Sequence, residues 1–182
     1  MKIKKLFVLG LFSITSLLSA NNLIMLKPNG SIFAEENGKI VQIDTVAAGT
    51  KFETPDSKGT NKDVWSDENV EKDVKLISVE YEGRNVFVKS SETCFFGAAF
   101  LPIILKVPAA VYRNEKLRSV ENRFLPAGTL VLMDCTEFEL LESERGAIHL
   151  SGIVYWNSES GKKESCHVLT RKLASDIDSN SE

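Results

Sequence analysis

Ile24 to Thr50, IMLKPNGSIFAEENGKIVQIDTVAAGT, is written twice in this chain of 182 residues. Slid along the sequence without a gap, Ile24-Met25-Leu26-Lys27 falls on Ile103-Ile104-Leu105-Lys106 and Ile32-Phe33 on Val111-Tyr112. Glu36 then falls on Glu115, Val41 on Val120, and Ala48-Gly49-Thr50 on an identical Ala127-Gly128-Thr129, at a constant offset of 128 − 49 = 79 residues. A register held over a whole segment marks a duplicated structural unit.

Within the first copy, Leu23 to Leu26 is a short apolar run closed by the turn formers Lys27-Pro28-Asn29-Gly30. Ser31 to Ala34 follows as a second strand. Val41 and Ile43 then alternate with Gln42 and Asp44 in a half-buried third. Gly49 supplies the positive φ that a tight turn into Lys51-Phe52-Glu53 requires. Thr54 to Asp73 is polar and rich in turn formers, and reads as a long exposed loop with Val64-Trp65 as its one apolar island. Val74 to Tyr81 and Val86 to Val88 form a hairpin around Glu82-Gly83-Arg84-Asn85.

Thr93 to Leu105 is the most apolar internal stretch, interrupted by Gly97 and Pro102 and too short to span a bilayer. Phe95, Phe96 and Phe100 in it are expected to pack between the two units. The second copy repeats the plan with a shorter loop: Phe138 to Leu141 and Ala147 to Leu150 form a hairpin, and Gly152 marks a bulge or bend. Short strands, turns every eight to ten residues or so and almost no helical period predict an all-β fold of two small tandem antiparallel barrels. The expected boundaries are 23–93 for the first barrel, 94–102 for an apolar junction, 103–173 for the second barrel and 174–182 for a disordered acidic tail.

Residues 1–20 read as a secretory signal peptide. Lys2, Lys4 and Lys5 precede an apolar core from Leu6 to Leu18, and Ser19-Ala20 offers small residues for cleavage. The expected location is periplasmic or secreted, with no stable membrane span once the leader is removed. Its removal takes away three lysines and no acid, so the net charge moves from −3 to −6. An acidic chain without a Lys/Arg stripe is poorly suited to a phosphate backbone, which argues against nucleic acid.

Three cysteines, Cys94, Cys135 and Cys166, remain in a chain whose compartment permits disulfides. Cys135 and Cys166 are the candidate disulfide, worth on the order of 3–4 kcal/mol in the chain-entropy model. Asp56 stands where the repeat places Cys135, so such a bridge is not essential to the unit. The alternative is three small buried hydrophobes.

Tyr81-Glu82-Gly83-Arg84 followed by Val86-Phe87-Val88-Lys89-Ser90-Ser91 resembles the closing hairpin of bacterial SH3-like (SH3b) domains. Ala48-Gly49-Thr50 and Ala127-Gly128-Thr129, each leading into a strand, resemble an earlier turn of that family. The resemblance covers most of Leu23 to Ser91 and, more weakly, Ile103 to Leu173. Asn85-Val86-Phe87 departs from the family's usual Gly-Trp-Val, and Gly161-Lys162-Lys163 lacks an aromatic after the turn. Both departures touch the usual ligand groove and leave the barrel intact. The resemblance implies a targeting or binding module in an exported protein, and no attached hydrolase domain is expected.

No catalytic constellation accompanies the scaffold. Cys166 and His167 are strand neighbours pointing to opposite faces, so they cannot form a nucleophile–base pair. Cys135, Cys166, His149 and His167 lack the spacing of a zinc site, and no metal or other cofactor is expected. Glu137, Glu139, Glu142 and Glu144 read as a solvated hairpin face. Trp65, Tyr81, Tyr155 and Trp156 are the candidate ligand-binding residues, because aromatics give large contact area at low entropic cost. Trp65 is either a ligand-facing ring or a lid on its own barrel. Tyr155 and Trp156, adjacent on a strand, should face opposite ways.

The expected function is therefore a non-enzymatic binding module that recognises cell-wall peptide or a protein partner through aromatic-lined grooves. The alternative is a structural subunit of a cell-envelope assembly that uses the apolar junction. A third reading, an inhibitor of a cationic extracellular enzyme, rests on the net charge alone.

Overall fold

The computed structural model describes residues 21–55, 58–66, 69–112, 120–143 and 146–173. The expected leader at 1–20 and the acidic tail at 174–182 lie outside them. The described chain is all-β. Its first half holds β1 (Asn21–Met25), β2 (Gly30–Glu36), β3 (Lys39–Val46), β4 (Lys51–Thr54), β5 (Thr60–Trp65), β6 (Val70–Tyr81), β7 (Arg84–Lys89) and β8 (Thr93–Phe96). Its second half holds β9 (Phe100–Ile104), β10 (Ala109–Tyr112), β11 (Val120–Leu125), β12 (Leu130–Ser143), β13 (Gly146–Asn157) and β14 (Lys162–Leu169), followed by one 3-10 turn, Thr170–Lys172.

The first sheet runs β5-β3-β2-β7-β6-β4-β1-β8, and β5 also pairs with β6. The antiparallel β5–β6 ladder and a short parallel β3–β5 pairing, Ile40 with Val64 and Val41 with Trp65, close β5-β3-β2-β7-β6 into a five-strand barrel. All five strands fill its interior, with Phe33, Ile40, Val64, Val74, Leu76 and Phe87. A larger core lies on the other face of β2-β7-β6, where Leu23 and Met25 of β1 and Phe52 of β4 meet Ile32, Ile77, Val79, Val86 and Val88. Each such buried side chain contributes about 1.5–3 kcal/mol of burial free energy.

The barrel is closed by a segment that the composition assigns to a loop. In Thr60–Trp65 only Val64 is buried, so no apolar alternation announces a strand. What holds β5 is its backbone, hydrogen-bonded to β6 on one side and β3 on the other.

The second sheet runs β11-β10-β14-β13-β12-β9, and among the described residues no pairing closes it. Its core, with Leu105, Val111, Leu125, Val131, Ile153, Tyr155 and Val168, reproduces the larger core of the first half. The repeat turns match in detail. Gly49 N–H donates to Met25 O at 2.8 Å and Met25 N–H to Thr50 O at 2.9 Å. Gly128 N–H donates to Leu105 O at 2.7 Å and Leu105 N–H to Thr129 O at 3.0 Å. The hydroxyls of Thr50 and Thr129 cap their turns on Ala47 O and Pro126 O, both at 2.8 Å.

These bonds correct the ungapped alignment at its first strand. Met25 is the counterpart of Leu105, not of Ile104. Beyond that point the 79-residue offset holds, Ile32 and Val46 matching Val111 and Leu125 in the two cores. The first copy therefore carries one extra residue in the connection ahead of β2. The slip matters because side chains alternate along a strand: Met25 is fully buried, whereas Ile104 is 59% exposed.

The two halves meet through a further apolar cluster. Ile24 and Leu26 beside β8's Cys94 and Phe96 pack against Phe100, Leu130, Leu132, Val154 and Trp156. Phe95 instead joins the larger core of the first half. The stretch read as a separate junction is thus divided between the sheets, Thr93–Phe96 pairing with β1 and Phe100–Ile104 with β12. Lys163 ties the halves by a polar contact as well, its Nζ donating to Thr93 O at 2.7 Å and Ser90 O at 3.2 Å.

Candidate functional site

A cleft of about 400 Å³ opens where the two repeat turns face each other across the halves. Gly49 lines it from the first half and Gly128 from the second. Their φ values of 92° and 85° keep both turns tight. The apolar walls are Leu26 and Pro28 on one side and Ile104, Phe124, Pro126 and Trp156 on the other.

Strand β11 sets the most exposed wall. Leu125 is buried in the second core, and alternation turns Phe124 outward, where it is 63% exposed. Arg123, on the Leu125 side, reaches Glu159 Oε2 at 3.2 Å and Glu164 Oε2 at 3.4 Å. Glu164 is the hub of the wall behind the cleft. It also accepts from Asn157 Nδ2 at 2.6 Å, Ser160 Oγ at 2.7 Å and Tyr155 Oη at 3.2 Å. Four donors on one carboxylate hold the β13–β14 turn in a fixed shape. Burial pushes the Tyr155 phenol up to about 12, helped by the neighbouring Cys166 and Glu164 and opposed by Arg123.

Of the four aromatics expected to bind, two come together here. Tyr155 and Trp156 face opposite ways: Tyr155 is a core residue whose hydroxyl braces the wall, and Trp156 packs between the halves with an edge in the cleft. Tyr81 sits beside the larger core of the first half, its ring 5.9 Å from that of Phe52 and tilted by 60°. Burial, then Glu82 and Asp44, raise its phenol above the usual value. Trp65 ends β5 rather than lying in a loop, half-exposed, with Lys39 Nζ 4.5 Å from its ring centre. Neither Trp65 nor Tyr81 lines the cleft between the halves.

Cys135 and Cys166 do not form the candidate disulfide; both are thiols. Cys166 pairs with Ile153 of β13, and Ile153 in turn pairs with Met133 of β12, so β13 runs between the two cysteine-bearing strands. Two strand spacings are about 9.5 Å, beyond the roughly 7 Å over which Cα atoms can be bridged. Cys166 is core, Cys135 packs at its edge, and burial raises the Cys94 thiol above its ordinary value. No three of the His, Cys, Asp and Glu side chains among the described residues gather as a metal site.

Arg123 and Phe124 were not marked by sequence reasoning. The signal that finds them is disagreement between the copies: in the 79-residue register they stand where the first copy has Asp44 and Thr45. An apolar residue on the solvent side of a strand otherwise matched to a polar one points to a contact surface. Comparison with protein-family models, with curated proteins and with solved structures finds no match to this chain.

Proposed function

We propose that this chain is an exported, non-enzymatic binding protein of two tandem SH3-like units, 23–93 and 103–173, that holds a cell-wall peptide or a peptide segment of an envelope protein. The observation that carries the reading is the cleft in which the Gly49 and Gly128 turns face each other beside Ile104, Phe124 and Trp156. Such a site joins apolar area to polar side chains such as Thr129, Asn157 and Ser158, a usual composition of a ligand cleft. Its walls come from both halves, which gives the duplication a purpose: one unit alone supplies half a site. The Lys-rich start and apolar core of residues 1–20 support export to the periplasm or beyond.

Pull-down of the mature chain on purified wall fragments and on envelope extract tests this. Phe124→Asp should abolish capture while leaving the unfolding midpoint within about 0.5 kcal/mol of wild type, since the ring is mostly exposed. Equal capture by wild type and variant would remove the cleft from the reading.

A second reading, a structural subunit of an envelope assembly, is favoured by the exposed Leu101, Ile104, Val107 and Phe124 in the second half. Light scattering separates the two. A species whose mass grows with concentration, and whose growth Phe124→Asp suppresses, supports assembly; a monomer at all concentrations argues against it.

A further inference from the structure

A second cleft that Trp156 also lines is richer in charged side chains. Lys27 and Lys89 of the first half and Lys162 and Lys163 of the second converge on it, against two carboxylates, Glu71 and Glu92. The local balance is +2 in a chain whose net charge is −3. Most surface lysines are mobile, but three of these four are held. Lys27 Nζ sits 2.6 Å from the buried Glu92 carboxylate and 5.8 Å from the Trp156 ring centre. Glu92 is itself fixed, accepting Ser31 N–H at 3.0 Å on its other oxygen. Lys89 pairs with Glu71 and lies 5.5 Å from the Phe33 ring centre. Lys163 donates to two backbone carbonyls of the first half. Lys162 is exposed and makes no ion pair among the described residues.

Three consequences follow from this chemistry. An ammonium has three N–H donors, so Lys27 and Lys163 each retain capacity after their protein partners are counted. Among the described residues the cations lining the cleft are all lysines, compact point charges of the kind that bind phosphate. The cleft is about 600 Å³, larger than a bare oxyanion needs, and Trp156 offers a flat apolar face beside the charges. We infer that the Lys27–Lys162–Lys163 cleft binds a phosphate-bearing ligand, the oxyanion between the ammonium groups of both halves and its organic part against Trp156. The site does not depend on the peptide reading of the first cleft, although Trp156 lines both.

Inorganic pyrophosphate titrated into the mature chain is the probe, followed by calorimetry and by the indole resonance of Trp156. Saturable binding that weakens as salt is raised is expected. Lys162→Glu should weaken it roughly tenfold or more, whereas Lys39→Glu, the same charge change on an exposed position of β3 that lines neither cleft, should leave it unchanged. A parallel arm uses vesicles of phosphatidylcholine with and without phosphatidylglycerol. Binding to the anionic vesicles alone, lost in Lys162→Glu, assigns the phosphate to a lipid surface; binding to pyrophosphate alone assigns it to a soluble ligand. Binding to neither probe, or equal weakening by Lys39→Glu, overturns the site.

Discussion

Gly128 N–H donates to Leu105 O at 2.7 Å, and 79 residues earlier Gly49 repeats the bond to Met25 at 2.8 Å. Both glycines occupy the third position of a turn closed by the following threonine amide, to Ala47 O at 3.2 Å and Pro126 O at 3.3 Å. A Cβ built at either glycine meets no atom within 4 Å, so the requirement for glycine is one of backbone conformation and not of space. Gly49→Ala and Gly128→Ala should therefore each cost about 1–2 kcal/mol from forcing an L side chain into positive φ. Urea unfolding of each single variant measures it, and costs near zero would mean that the turns relax.

The other half of that relationship concerns Met25. A Cβ on Gly30 would lie 2.0 Å from Met25 Sδ, because the thioether fills the space that a side chain at position 30 would need. The second half solves the same corner with Leu105 and Ala109, both buried in its core. Gly30→Ala should destabilise by about 1–3 kcal/mol through overpacking. Met25→Leu should relieve it in the double variant, because the pair then copies the working pair of the other half. A double-mutant cycle measures the coupling; additive costs would show that the two corners are not equivalent.

How much of this was legible follows from which side chains obey a period. The Ala-Gly-Thr turns were legible because positive φ narrows the choice to glycine. The hairpin from Val74 to Val88 was legible because Ile77 and Val79 alternate with Ser78 and Glu80. The register of β1 was not. Leu23, Ile24, Met25 and Leu26 are all buried, alternately in the first core and between the halves, so a run apolar on both faces cannot reveal a slip of one residue. Strand β5 was hidden for the opposite reason: it buries one side chain, and backbone pairing makes it a strand. Of the site, Tyr155 and Trp156 could be named from residue type. Arg123 and Phe124 stand out only as a disagreement between the copies, and their place in a site follows when the fold sets β11 beside the opposing turn of the first half.

The seam between the halves should carry real stability. Leu132 is fully buried among Ile24, Leu26 and Phe100, and its truncation leaves a cavity with little freedom to collapse. Leu132→Ala should cost about 2–5 kcal/mol. It should also separate the unfolding of the two halves, which calorimetry would record as two transitions in place of one. A single transition at a lower temperature would mean that the halves fold as one unit even without this contact.

Tyr155 makes a prediction with a definite sign. Its phenol is held at about 12 in the folded chain, against about 10 when unfolded. Because the folded state keeps its proton where the unfolded state has lost it, the stabilisation is complete below pH about 10 and disappears as pH rises toward 12. Stability should therefore fall through that window, and an ultraviolet titration should show the Tyr155 phenolate appearing together with loss of fold. Tyr155→Phe removes the titrating group along with the bond to Glu164. It should lower stability at neutral pH by about 1 kcal/mol and flatten the alkaline loss. Were the variant to lose stability above pH 10 as steeply as wild type, another group would be responsible. Tyr81, raised in the same direction, would be the first to replace by phenylalanine.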